Sequence, residues 1–349
     1  MKTPDSGFGA DTIKLRGPAT LDLLHQLPDK RSSQVVDGHT GELTDLQRQG
    51  SHVLRAGSTW MTVSVNTKFG PPSVSLEFSG PASIYGHNAY PLPLGEVTGA
   101  SLLAWRAARE ELPGICSFES LHLSRLDVVR TFLGVEDIPG TLLTLSQLRS
   151  SRVRTDRLER GRNGQWQSLT RGNAATWRAV LYAKAEELRD RASRTRDPDF
   201  RVLLRQIADV VQGELRYELQ LRGRLRTAGL TDHTRIDETA FHFEAEDHFW
   251  RTRFAEVVDG GPARACGLVM PLDNRQQRGL LALLGADLLG LPPPMSHNPE
   301  AAYRSLQRRL GLTPQDLVPG VGVARQLDFH SGRQVEVPSL SVAPRLLLP

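Results

Sequence analysis

Glu214-Leu-Arg-Tyr-Glu-Leu-Gln-Leu-Arg222 is the stretch on which the fold turns. Leu215, Tyr217, Leu219 and Leu221 alternate with Arg216, Glu218, Gln220 and Arg222. A period of two puts successive side chains on opposite faces, so this is a strand with one apolar and one charged side. Such a strand suits an antiparallel sheet whose apolar face is covered by helices and whose other face meets solvent. Residues 73–78 repeat the pattern, with Val74, Leu76 and Phe78 opposed to Ser73, Ser75 and Glu77. Residues 11–16 suit a first strand through Ile13 and Leu15, and a polar, glycine-containing stretch follows them. Residues 121–130 are apolar and β-branched enough for another strand, with less cleanly sorted faces.

Helical spacing appears between these strands. Residues 95–112 have the length and apolar periodicity of a helix, stopped by Pro113 and Gly114. Residues 177–183 look extended and pass into a helix over 185–194, and 200–211 form a second amphipathic helix. Further helical segments are expected at 274–289 and 299–310, with Pro292, Pro293 and Pro294 between them and Thr313-Pro314 as another helix start. The expected fold is α+β: a largely antiparallel sheet with helices on one face over residues 1–232, followed by a smaller, partly helical accessory or DNA-binding domain over 233–349.

A chain of 349 residues with 39% hydrophobic composition has room for two folding units. The longest apolar run, residues 279–291, is broken by Asp287, and the N-terminal segment lacks a secretion signal. A soluble, cytoplasmic protein with no membrane partner is expected. Cys116 and Cys266 are too few to build a metal cluster by themselves.

The net charge is only +4, so the placement of charge says more than its sum. Arg149, Arg152, Arg154, Arg157, Arg160 and Arg162 crowd one segment that reads as a basic loop. Five of the 43 basic residues are lysine, and arginine is the better bidentate partner for phosphate. A GC-rich genome enriches arginine everywhere, so the clustering outweighs the bias. Past Leu230 the chain turns acidic around His233, His242 and His248, a pattern that fits a solvated surface better than a metal site. No GxxxxGK[ST], no well-placed GxGxxG and no GxSxG occurs, which argues against nucleotide-driven and serine-hydrolase chemistry.

Four separated segments, taken in order, resemble the filamentous-phage gene II/X replication proteins. They are Val74-Ser-Leu-Glu-Phe-Ser with Gly86-His87-Asn88, then Leu123-Ser-Arg-Leu-Asp-Val128, then residues 177–188 (WRAVLYAKAEEL), then residues 213–221 (GELRYELQL) running on to Thr227-Ala-Gly-Leu230. The similarity covers about residues 70 to 230, and is weaker at 322–335. The R-L-D-V, Y-x-K and R-Y-E elements also look like those of plasmid rolling-circle initiators. The paired histidines of the broader nickase group are absent, so a two-histidine metal strand is not carried over.

The resemblance implies an initiator that binds a phage or plasmid origin and nicks one strand by tyrosine transesterification. It implies Tyr182 as the nucleophile, with Lys184 lowering its pKa or binding phosphate. That help matters, because roughly one phenol in a thousand is ionised at neutral pH. If the chain is extended there, Tyr182 and Lys184 share a face; in a helix they point nearly opposite ways. Mg²⁺ or Mn²⁺ is implied as Lewis acid, held first by Asp127 and Glu218 and then by Glu77 and His87. Arg125, Arg216 and Arg222, with Arg149, Arg152, Arg154 and Arg157, would hold DNA phosphates. Host helicase and polymerase are implied partners.

Plainer roles remain open for each residue. Tyr182 also suits a packed sheet aromatic, Asp127 an ion pair with a sheet arginine, and Glu218 a cross-strand pair with Arg216 or Arg222. His87 also suits a turn, and Tyr85 and Tyr90 beside it are the next candidate nucleophiles. The competing classes are a non-catalytic DNA-binding regulator and a metal nuclease that activates water.

Overall fold

The computed structural model describes residues 7–27, 29–36, 43–56, 59–67, 71–147, 156–173, 175–254 and 325–336. Among them ten strands form one antiparallel sheet: β1 (Phe8–Pro18), β2 (Asp29–Val36), β3 (Leu43–Ala56), β4 (Thr59–Asn66), β5 (Ser73–Ser79), β6 (His122–Phe132), β7 (Asp156–Arg160), β8 (Trp166–Asn173), β9 (Trp177–Ala183) and β10 (Leu215–Leu221). Their order is β2-β3-β4-β5-β1-β6-β10-β9-β8-β7. The helices are α1 (Leu21–Gln26), α2 (Gly80–Tyr85), α3 (Val97–Glu111), α4 (Ile138–Gln147), α5 (Lys184–Arg194), α6 (Pro198–Val210), α7 (Gly223–Thr227) and α8 (Glu238–Arg251). The α+β class and the antiparallel sheet are as the alternation predicts.

Most strands whose side chains are described turn buried apolar residues to one common side, which is the core, although Val129 of β6 is buried on the other. Ile13 and Leu15, Leu76 and Phe78, Met61 and Val63, Leu126 and Val128, Leu219 and Leu221, and Leu181 are all buried there. They pack with Val97, Ala100 and Ala104 of α3, Leu142 and Leu145 of α4, and Phe241, Ala245 and Phe249 of α8. Each large side chain so buried is worth about 1.5–3 kcal/mol. Helices α5 and α6 form a separate hairpin with its own small core of Ala185, Leu188, Ala192, Leu204 and Ala208. Asp197 caps α6 by accepting from the Asp199 and Phe200 N–H groups, with Pro198 in the first turn.

Several expectations need correction. The polar stretch after β1, to which the sequence pattern assigned no element, holds α1 and the strands β2, β3 and β4, the last alternating Met61, Val63 and Val65 inward. The basic loop expected over 149–162 becomes strand β7 from Asp156 onward, and Arg149, Arg152 and Arg154 lie outside the described residues. The acidic stretch past Leu230 forms helix α8, which leaves Asp237 and Glu238 exposed but buries Glu244 and His248. Phe241, Phe249, Phe254, Leu327 and Phe329 also belong to the core. Residues 274–289, 299–310 and 313–314 lie outside the described residues, as does Cys266.

A short hairpin of β11 (Arg325–Asp328) and β12 (Arg333–Glu336) closes the far end of the core. Arg130 of β6 donates to the Phe329 and His330 carbonyl oxygens, and Leu133 bridges to Arg333. No helix among the described residues is long and apolar enough to cross a membrane.

Candidate active site

The register of the central strands gathers the polar residues on the side away from the core. Gln220 stands opposite Asp127 on β6 and Arg178 on β9, and Arg216 stands opposite Tyr182. Lys14 of β1 lies between Glu77 of β5 and Arg125 of β6. Residues far apart in sequence are thereby set side by side at strand spacing, about 4.8 Å.

Tyr182 ends β9, and Lys184 opens α5 directly after it. Strand gives way to helix at Ala183, yet the two side chains remain neighbours: the Lys184 Nζ lies 5.9 Å from the Tyr182 ring centroid. The Tyr182 hydroxyl donates to Glu218 Oε2 at 3.3 Å. Glu218 also accepts from the Gln220 amide, at 2.6 Å on Oε1. Lys184 is fully buried and pairs with Glu187 at 2.6 Å. The cross-strand arginine pairs considered for Glu218 therefore give way to a phenol and an amide.

Tyr182 and Glu218 face a cleft of about 910 Å³ bounded by β7, β8, β9 and α5. Asp11, Asn88, Ser168 and Glu187 line it, together with Arg157, Arg160, Arg191 and Arg194. Asp11 is the residue that the sequence reading missed. Strict alternation puts it with Ile13 and Leu15 on the core side, but β1 slips register against β6 between Ala10 and Ile13. The irregularity turns Asp11 over, as bulges do, and it accepts from Ser79 Oγ at 3.1 Å.

This crowding of carboxylates shifts their protonation. Burial, the Glu218 charge and Asp11 raise the Asp127 carboxyl, against the pull of Arg125. Burial and Asp11 likewise raise Glu218, and burial with Glu218 holds Tyr182 well above the ordinary phenol range. Burial and Arg216 lower Lys184.

Similar solved structures include a rolling circle replication initiator protein from Geobacillus stearothermophilus. The identity is 12%, the match covers 69% of this chain and 79% of that one, and the TM-score is 0.30. No family model and no curated protein matches the chain.

The remaining expected residues divide clearly. Asp127 is held bidentately by Arg125, at 2.8 and 2.5 Å, so the ion-pair alternative describes it. Glu77 is shared between Lys14 at 2.8 Å and Arg125 at 3.0 Å. His87 Nδ1 accepts from the Ala89 N–H at 3.3 Å and its ring meets Tyr90 edge-on, which is the turn role. That turn starts at Gly86, whose φ of 79° is open to glycine at no steric cost. Burial and the nearby Lys184 and Arg191 charges lower the His87 pKa.

Among the described residues no group of three or more His, Cys, Asp or Glu side chains is placed to hold a metal ion. With Asp127 and Glu77 engaged by guanidinium and ammonium groups, the donor set expected for Mg²⁺ or Mn²⁺ does not fit this arrangement. Arg216 also departs from its expected role. It is buried and donates to the Asn88 and Ala89 carbonyl oxygens, so it fixes the 86–90 turn over the site rather than presenting a phosphate contact. Arg125 faces its two carboxylates, Arg222 lies near Arg125 and Arg178, and exposed Arg157 pairs with Glu159 at 2.9 Å.

Proposed function

We propose that the chain is a replication initiator that nicks one DNA strand, with Tyr182 as the attacking group. The observation that carries this reading is the Tyr182 hydroxyl donating to Glu218 on the wall of a large, arginine-lined cleft. A carboxylate acceptor and a bordering cleft set this phenol apart from the packed Tyr217, which donates to a peptide carbonyl.

The chemistry follows from those contacts. Tyr182 rests as a neutral phenol, so its proton must leave as its oxygen bonds to phosphorus. Glu218, with its raised pKa, is the base that takes it. The bond from phosphorus to the 3′ oxygen breaks, the departing oxygen takes a proton from water in the open cleft, and the 5′ phosphate stays on the tyrosine. Buried Lys184 beside the ring favours negative charge on the phenol oxygen, and the cleft arginines hold the phosphates on either side. Energy stored in the phosphotyrosine permits rejoining, and the free 3′ hydroxyl is what a host polymerase would extend while a helicase opens the duplex.

The test is incubation with circular DNA carrying the origin, followed by a denaturing gel. A protein–DNA adduct whose nucleotide maps to Tyr182 is the expected result. Free ends would instead mark a nuclease that uses water, and intact circles a regulator.

A further inference from the structure

We infer that Trp60, with Arg55, is a stacking platform for bases of single-stranded DNA that flank the strand engaged at Tyr182. The inference rests on the DNA-nicking reading above and extends it to how the substrate is held.

Trp60 is 64% exposed, although it lies within a strand of the main sheet. Its neighbours Met61 and Val63 are buried in the core, so alternation turns Trp60 to the polar face that carries Glu77 and Tyr182. Arg55 stands opposite it on β3, with its guanidinium carbon 5.7 Å from the indole centroid. A ring and a guanidinium plane together form the surface on which unpaired bases stack, whatever their sequence.

The surroundings favour nucleic acid over a protein partner. Met61 pairs with Phe78, so Trp60 stands beside Ser79, whose hydroxyl donates to Asp11 at 3.1 Å in the catalytic cleft. Thr62, Ser64 and Ser75 continue the face, with Arg16 bonded to Ser73 at 2.9 Å. Val53 is also exposed on this face, opposite Thr62, but the hydroxyls and arginines around it suit a phosphate backbone better than a protein-docking patch, which would present wider contiguous apolar surface. Five strand-to-strand steps separate β4 from β9, about 24 Å at the usual spacing, so the platform engages nucleotides well away from the one attacked.

The test measures binding of a labelled single strand of 30 nucleotides, and of a 30-base-pair duplex, by anisotropy. The proteins are wild type, Trp60→Ala, Trp60→Phe and Arg55→Gln. Trp60→Ala should weaken the 30-mer about tenfold, a loss of one base stack. Trp60→Phe should restore most of the affinity, and Arg55→Gln should fall between. Unchanged 30-mer affinity in Trp60→Ala, with wild type still binding and forming its adduct, would overturn the platform and leave the nicking reading standing. Equal loss on the duplex would also overturn it, because stacking needs unpaired bases. A wild type that binds no single strand would sink the parent reading and the platform together.

Discussion

Tyr182 and Tyr217 stand on adjacent strands, one register position apart, and point to opposite faces of the same sheet. Packing holds both phenols well above their ordinary pKa. What separates them is the acceptor. The Tyr217 hydroxyl donates to the Ala245 carbonyl at 3.1 Å, inside a ring cluster with Phe249, Phe254 and Phe329. A peptide carbonyl cannot take a proton, so that hydroxyl only stabilises. The Tyr182 hydroxyl meets a carboxylate that can take one, with a cleft open beside it. Burial raises both phenols, and only Tyr182 also has a carboxylate acceptor with a cleft beside it.

The sharpest way to break this contrast is to delete each oxygen in turn. Tyr182→Phe should lower nicking and adduct formation by about a thousandfold or more, in a gel assay, while its melting temperature moves little. If Tyr182→Phe still nicks and Tyr217→Phe does not, the assignment is reversed.

A second, smaller effect concerns the acceptor. Glu218→Gln should cost about 10²–10⁴ in rate, the usual worth of a general base. A base works only when deprotonated, so the wild-type rate should climb as pH rises through the Glu218 pKa, which burial and Asp11 raise. The same rise should vanish in Glu218→Gln, and a rise that survives the substitution would remove Glu218 from the role.

The smallest effect is thermodynamic. Tyr217→Phe leaves the rings in place and removes one hydrogen bond, so unfolding should become easier by about 1 kcal/mol, a few degrees in Tm, with nicking intact. A nicking defect in a variant that remains folded would mean the two faces are coupled.

How far these features were legible in sequence depended on local periodicity. β10 and β5 were readable because each alternates without interruption, and α3 because proline and glycine follow it. Tyr182 and Lys184 stood out through the segment that resembles the initiators, although sequence left open whether the chain there was strand or helix. The structure puts the change at Ala183, which keeps the Lys184 ammonium beside the Tyr182 ring. Asp11 was hidden because a register slip in β1 reverses the face that alternation assigns. Arg216 was legible as a polar-face residue, but its acceptors on Asn88 and Ala89 lie more than a hundred residues away, beyond any local pattern. The β2 and β3 strands were passed over because serine, glutamine and charged residues dilute their apolar alternation, whereas β4 alternates Met61, Val63 and Val65 cleanly and was missed despite its pattern.

The clasp between Arg130 and the turn at Phe329 and His330 sets a timetable for the molecule's birth. Phe329 completes the ring cluster beneath Tyr217, but it leaves the ribosome long after the sheet it seals. At about 5–20 residues per second, several seconds of synthesis separate Phe254 from that last wedge. During that interval the nascent sheet carries an open aromatic face, which is a natural target for chaperones that hold unfinished chains.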